Sequence, residues 1–143
     1  IRHTKKGEEY SFIEQVSLPE LLSRSDVISL HTPLTADTKE MINRDTISKM
    51  KDGVILINTS RGGLIAEQDL VDALNSGKVY AAGLDVISEE PPRHDLAILH
   101  CDNATITDHI AYLPKTSRLR SVAVAISNFR AFLEGHPVSV INP

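Results

Sequence analysis

The chain of 143 residues is long enough for one compact domain and short for two of ordinary size. Hydrophobic residues make up 41% of it and charged residues 24%, as in globular proteins, and no apolar run is long enough to span a bilayer. The net charge of -4 disfavours a protein that binds nucleic acid through its phosphates.

The first half of the chain predicts a helix, a strand, a second helix and a second strand. Ser17 and Glu20 have the spacing of a capping box, which predicts a short helix through Leu22. A strand is predicted over residues 27–30, and a short helix after Asp45 that ends near Gly53. The continuous apolar run over residues 54–57 is typical of a strand that is buried on both faces.

The second half of the chain continues the alternation of helices and strands. A helix is predicted over residues 67–76 with Gly77 as its stop, and strands over residues 79–84 and 104–107. An apolar stripe then predicts a long helix that Gly135 ends; its members are Leu119, Val122, Ile126, Phe129 and Leu133. Strands that alternate with helices predict the α/β class, with a parallel sheet and helices on its faces.

Polar residues follow each of the four predicted strands. The four clusters are His31-Thr32-Pro33, Thr59-Ser60-Arg61-Gly62-Gly63, Asp85, and Asp108-His109. Any one of them fits an ordinary polar loop. Because ligands of open parallel sheets bind beyond the carboxyl ends of the strands, the four together predict a site at that edge.

Arg61 and His109 indicate what this site can do. A guanidinium group can hold a carboxylate through two parallel hydrogen bonds, so Arg61 suits an anionic substrate. His109 can transfer a proton near neutral pH, and a carboxylate such as Glu90 beside it would favour the charged ring and fix its orientation. On spacing alone Glu89 competes with Glu90 for that place.

Other chemistries find less support in the sequence. The histidines and the cysteine of the second half lack the tight spacing of zinc motifs, so no metal is predicted; they are His94, His100, Cys101 and His109. Cys101 is the single cysteine, has no evident activating partner and is interpreted as an inert hydrophobic residue. With no disulfide and no secretory signal, a cytoplasmic protein is expected.

Six motifs stand in a fixed order along residues 17 to 143. They are SLPELL (17–22), DVISLHTPLT (26–35), INTSRGG (57–63), AGLDV (82–86), EP (90–91) and TDHIA (107–111). In this order they resemble the D-isomer-specific 2-hydroxyacid dehydrogenases. The resemblance implies a Rossmann-like parallel sheet with helices on both faces, hydride transfer between NAD and a 2-hydroxy or 2-oxo acid, and a homodimer.

The resemblance also implies roles for individual residues. Arg61 would anchor the carboxylate and carbonyl of the substrate, His109 would be the acid and base, and Glu90, which precedes Pro91, would be the partner of His109. The residues implied to bind the cofactor are His31, Thr32, Pro33, Thr59, Ser60, Arg61, Asp85, His109 and Ala111. Asp108 departs from the family, which commonly has Pro before the catalytic His.

The pattern Gly-x-Gly-x-x-Gly does not occur, so the phosphate-binding turn and the first βαβ unit of the family are expected to precede Ile1. Residues 1–143 are then expected to be the carboxyl-terminal part of a dinucleotide-binding domain with the terminal helix and tail, lacking the substrate domain and inactive alone.

Two alternatives stay open on the sequence. The basic residues near the amino terminus would follow the ribose-binding position, where they could bind the 2′-phosphate of NADP or form an ordinary solvated loop; they are Arg2, His3, Lys5 and Lys6. The competing function is that of a non-enzymatic, dinucleotide-sensing corepressor-like protein, because the family also contains corepressors.

Overall fold

The computed structural model describes residues 13–141, which fall into two compact units. The first unit ends at His109 and the second begins at Ile110. The basic residues from Arg2 to Lys6, on which the NADP alternative depends, lie outside the described residues.

Four parallel strands form the sheet of the first unit. They are β1 (Val27–Leu30), β2 (Val54–Asn58), β3 (Val79–Leu84) and β4 (Ala104–Ile106), and they lie side by side in that order. Each neighbouring pair is parallel, so every connection crosses over and the carboxyl ends of all four strands meet at one edge. The predicted α/β class and Rossmann-like parallel sheet are confirmed.

This unit has three helices: α1 (Leu18–Arg24) precedes β1, α2 (Arg44–Ser48) connects β1 to β2, and α3 (Glu67–Ser76) connects β2 to β3. Two short 3-10 turns, Gly62–Leu64 and Ala97–His100, complete the connections. α3 has the predicted bounds, because Gly77 takes the left-handed φ of 76° that ends a helix. α2 begins after Asn43, whose side chain accepts a hydrogen bond from the backbone of Thr46, and not after Asp45.

The core of the first unit lies on one face of the sheet. The register aligns Ile28, Leu56 and Ala82 across β1, β2 and β3, and all three are buried. Leu22 of α1 and Leu70 of α3 are buried in the same cluster. These helices therefore pack on the face of the sheet that carries Leu56.

The opposite face of β2 is more open than the sequence predicted. Ile55 and Ile57 point away from the side of Leu56 and are only half-buried. The prediction that this strand is buried on both faces is wrong for the described residues, because the helices of the unit cover one face. The expected helices on the second face are not seen among the described residues of this unit.

The second unit consists mainly of α4 (Lys115–Leu133), after which Gly135 follows as predicted. The predicted apolar stripe lies on this helix, and all of its members are exposed: Leu119, Val122, Ile126, Phe129 and Leu133. Within residues 13–141, no helix combines the length and the apolar character that a bilayer crossing requires.

Candidate active site

Backbone hydrogen bonds join the ends of three strands beyond the sheet itself. The N–H of Asp85, directly after β3, donates to the carbonyl of Asn58 at the end of β2 over 2.9 Å. The carbonyl of Asp85 accepts from the N–H of His109, which follows β4, over 3.0 Å. Residues that are far apart in sequence are thereby held at one edge of the sheet.

His109 adopts a strained backbone conformation at this edge. Its φ of 50° lies in the left-handed region, which costs a non-glycine residue about 1 kcal/mol or more. The N–H of His109 also contacts the carbonyl of Thr107 over 3.1 Å, in addition to that of Asp85. These bonds hold the residue in a conformation that sequence propensity alone would not select.

Glu90 and His109 form a hydrogen-bonded pair. The distance from His109 Nδ1 to Glu90 Oε2 is 2.8 Å, and Glu90 Oε1 accepts from the N–H of Ile87 over 3.1 Å. Both carboxylate oxygens are therefore engaged. Glu89 instead accepts from Arg93 Nε over 3.0 Å, so the geometry separates the two glutamates that spacing left equivalent.

The hydrogen bond from His109 lowers the pKa of Glu90 below its ordinary value, and the Ile87 N–H acts in the same direction, while burial and the charge of Asp85 oppose the shift. An ionised Glu90 can only accept, so the proton of this hydrogen bond resides on Nδ1 of His109. Nε2 is then the ring atom that can exchange a proton with a ligand.

The paired Glu90 predicts a loss of stability at acid pH. Because its pKa is lowered from 4.5, the stabilisation is fully present above that value and is lost as the pH falls through the lowered folded value. The side chain of Glu90 is 37% exposed, so solvent screening limits the expected contribution to about 0.5 kcal/mol. Urea unfolding of the parent and of Glu90→Gln should differ at neutral pH and converge on acidification. A difference that does not change with pH would contradict the assignment.

A cleft of about 470 Å³ opens beside the pair. Its lining residues are Asp85, Ile87, Glu90, Pro91, Pro92, Ile106, Thr107, Asp108 and His109. The volume lies in the range of small-molecule sites, and the wall combines apolar side chains with a few polar groups. Asp85 is 5% exposed, and its Oδ1 accepts from the Thr107 hydroxyl over 2.5 Å.

Arg61 lies outside the residues that line this cleft. It stands on the loop after β2, and its Nη1 donates to the carbonyl of Ser60 over 2.6 Å. The guanidinium group has five donors, so this contact leaves capacity for a bidentate bond to a carboxylate. The structure thus brings Glu90 and His109 together and places Arg61 on a neighbouring loop.

Asn58 holds the backbone of the loop that carries Arg61. This role was not identified from the sequence. The side chain of Asn58 is fully buried; Oδ1 accepts from the N–H of Ser60 over 3.0 Å and Nδ2 donates to the carbonyl of Arg61 over 2.9 Å. A polar residue that ends a buried apolar run, three positions before an arginine, is the signal that could have revealed it.

Gly62 permits a close backbone approach between two loops of the site. A Cβ atom at this position would lie 1.7 Å from the carbonyl oxygen of Ile87, well inside any allowed contact. The loop of Arg61 and the segment that leads to Glu90 therefore touch at a point where only glycine fits.

The other predicted residues of the first unit follow β1 and β2 and make varied contacts. His31 Nε2 lies 2.8 Å from the hydroxyl of Ser29, and the Ser60 hydroxyl donates to the carbonyl of Leu30 over 2.7 Å. Thr32 is half-buried, whereas Pro33 and Thr59 are exposed. Ala111 belongs to the second unit.

Cys101 is buried, and burial raises the pKa of its thiol. A protonated buried thiol is a poor nucleophile, in keeping with its interpretation as a hydrophobic residue. Among the side chains of residues 13–141, no three of the His, Cys, Asp and Glu type lie where they could hold one metal ion.

The family model for the NAD-binding domain of the D-isomer-specific 2-hydroxyacid dehydrogenases matches residues 1–111. A hydroxypyruvate reductase of Blautia hydrogenotrophica is 58% identical over 127 residues, which are 89% of this chain and 39% of that protein. A glycerate dehydrogenase of Methylorubrum extorquens is 41% identical over 88% of this chain and 41% of its own length.

A solved structure of a 2-hydroxyacid dehydrogenase also matches the fold of this chain. The D-lactate dehydrogenase of Aquifex aeolicus, complexed with NAD and lactic acid, matches with a TM-score of 0.76 and 41% identity, over 86% of this chain and 41% of that chain. The chain spans about two fifths of the length of these relatives.

Proposed function

The chain belongs to the D-isomer-specific 2-hydroxyacid dehydrogenases, and we propose that the whole protein interconverts a small 2-oxo acid and its D-2-hydroxy acid with a nicotinamide cofactor. The observation that carries the proposal is the hydrogen-bonded pair of Glu90 and His109 beside a cleft at the carboxyl ends of the strands. Ligands of open parallel sheets bind at this edge, so the position of the pair supports a role as the acid and base of the reaction.

The lining of the cleft fits a nicotinamide ring. Ile87, Pro91 and Ile106 offer apolar surface for a flat ring, and the Asp85 carboxylate is a suitable acceptor for the N–H groups of a carboxamide. When bound, the cofactor supplies or accepts the hydride at C4 of its ring.

His109 acts as the proton donor during reduction. In its charged form it gives the Nε2 proton to the carbonyl oxygen of the 2-oxo acid, and it takes the proton back from the hydroxyl during oxidation. The ionised Glu90 on Nδ1 stabilises the positive charge and keeps the ring oriented. His109 therefore provides the proton, and Glu90 orients the ring so that Nε2 faces the substrate.

Arg61 binds the carboxylate of the substrate in this proposal. A bidentate bond from its guanidinium group would fix the orientation of the acid and polarise the adjacent carbonyl. The buried Asn58 and the close approach at Gly62 support this function, because they fix the loop that carries Arg61 relative to the segment of Glu90.

The test is turnover by the whole protein with NADH and NADPH as alternative reductants. Hydroxypyruvate is our first choice of substrate because of the 58% identical relative, followed by glyoxylate and pyruvate. Oxidation of the reduced cofactor that requires a 2-oxo acid is the expected result. Cofactor binding without turnover of any of the three would instead favour a dinucleotide-sensing, corepressor-like protein.

The proposal includes a homodimer in the cytoplasm. A reducing compartment suits the buried, unpaired thiol of Cys101. Light scattering of the whole protein should give twice the mass of one chain, and a monomer mass would remove the dimer from the proposal.

A further inference from the structure

Glu67 reaches from the start of α3 to the segment that carries Glu90. Its Oε2 accepts two hydrogen bonds from Ser88, one from the hydroxyl over 2.6 Å and one from the backbone N–H over 3.1 Å. Hydrogen bonds to a carboxylate are about twice as strong as neutral ones. One side chain of α3 thus holds both the backbone and the side chain of Ser88.

The residue next to Ser88 is the one that orients Glu90. The N–H of Ile87 donates to Glu90 Oε1 over 3.1 Å, while Glu90 Oε2 contacts His109. A shift of the backbone at residues 87 and 88 would therefore move one of the two contacts that aim the carboxylate. Glu67 fixes this backbone from outside the loop.

Burial restrains the pair only in part. The side chain of Glu90 is 37% exposed and that of His109 is 48% exposed, so surrounding side chains restrain each of them on part of its surface only. Their relative orientation therefore also depends on hydrogen bonds. One of these comes from the N–H of Ile87, which is next to Ser88, the residue that Glu67 holds.

We propose that Glu67 is a positioning residue for the active site, which acts through Ser88 to set the orientation of the Glu90 carboxylate against His109. Its effect on catalysis rests on the proposed function, whereas its effect on the pair does not. A purely structural role, such as a favourable charge at the start of α3, would change stability and leave the Glu90–His109 pair unaltered.

Two variants of Glu67 separate geometry from charge. Glu67→Ala and Glu67→Gln remove the same charge, but glutamine keeps a side-chain oxygen that can accept from Ser88. The neighbouring Gln68→Ala is the matched control, because it removes a surface hydrogen bond to Asp72 and leaves Ser88 untouched. In the whole protein we expect Glu67→Ala to lower kcat by about tenfold with little change in the KM of the cofactor. Glu67→Gln and Gln68→Ala should stay within about twofold of the parent.

The second readout does not require activity. Carbon-13 NMR of labelled glutamate carboxyls in the whole protein follows the titration of Glu90, on which His109 and Asp85 both act. In Glu67→Ala the lowered pKa of Glu90 should rise toward its ordinary value, and in Glu67→Gln it should stay low. If Glu67→Ala does not fold, Ser88→Ala replaces it, because Ser88 is exposed and keeps its N–H; the same shift in smaller degree is expected.

The two proposals fail separately. An unchanged titration of Glu90 in both Glu67→Ala and Ser88→Ala overturns the positioning role, whatever the activity. A whole protein that turns over no 2-oxo acid overturns the proposed function, and the NMR titration then decides the role of Glu67 by itself.

Discussion

Replacement of His109 by alanine in the whole protein is expected to lower kcat for reduction of a 2-oxo acid by about 10² to 10⁴-fold, the usual contribution of a positioned acid or base. The reason is that the carbonyl oxygen then has no proton donor, and Glu90 loses the partner 2.8 Å away. The KM of the reduced cofactor should change far less, so that a comparison of kcat with KM reports the loss in the chemical step.

His94→Ala is the control for this experiment. His94 is exposed, and only its backbone carbonyl contacts His100, so that contact survives the change. Its kcat should equal that of the parent. A loss of less than about tenfold for His109→Ala would remove His109 from the role of acid and base, because such a loss is below what general acid catalysis contributes.

Substitution of Gly62 by alanine is expected to have the largest effect on stability. The added Cβ would lie 1.7 Å from the carbonyl oxygen of Ile87 and 2.7 Å from the nitrogen of Ser88, so the backbone of one loop has to move. We expect a loss of about 3 kcal/mol or more in the free energy of unfolding, at the upper end of overpacking effects. Activity should fall as well, because the loops of Arg61 and Glu90 meet at this point.

Gly63→Ala is the matched control beside it. Its added Cβ would meet the end of the Leu34 side chain at 3.0 Å, and a flexible side chain can give way where a carbonyl cannot. The expected loss is below about 1 kcal/mol. Thermal unfolding of both variants measures the difference, and equal midpoints would show that the contact at Gly62 is relieved without cost.

Most of the fold could be predicted from local patterns. The apolar run over residues 79–84 and the helical stripe that stops at Gly77 gave the bounds of β3 and α3. The predicted start of α2, after Asp45, is two residues too late. The capping contact of Asn43 with Thr46 sets the true start, and it depends on side-chain geometry that spacing does not specify. The open face of β2 could not be foreseen, because burial depends on which elements cover a strand and not on its own sequence.

The candidate site was predictable only in outline. Polar residues after each strand marked the edge, and the strand order brings Asp85 and His109 together as expected. The sequence did not distinguish Glu89 from Glu90 without the family resemblance, whereas the contact of Glu89 with Arg93 does so directly. Glu67 remained hidden, because its link to Ser88 joins residues 21 positions apart on different elements.

Isotope transfer most directly tests whether the whole protein moves a hydride between the nicotinamide ring and C2 of a 2-oxo acid. The protein is incubated with hydroxypyruvate and a reduced cofactor that carries deuterium at C4, and the product is examined by mass spectrometry and NMR. We predict a 2-hydroxy acid with deuterium at C2. The experiment is run twice, with the deuterium on one face of the ring and then on the other. A cofactor that stays reduced, or a product that lacks deuterium in both runs, would contradict hydride transfer.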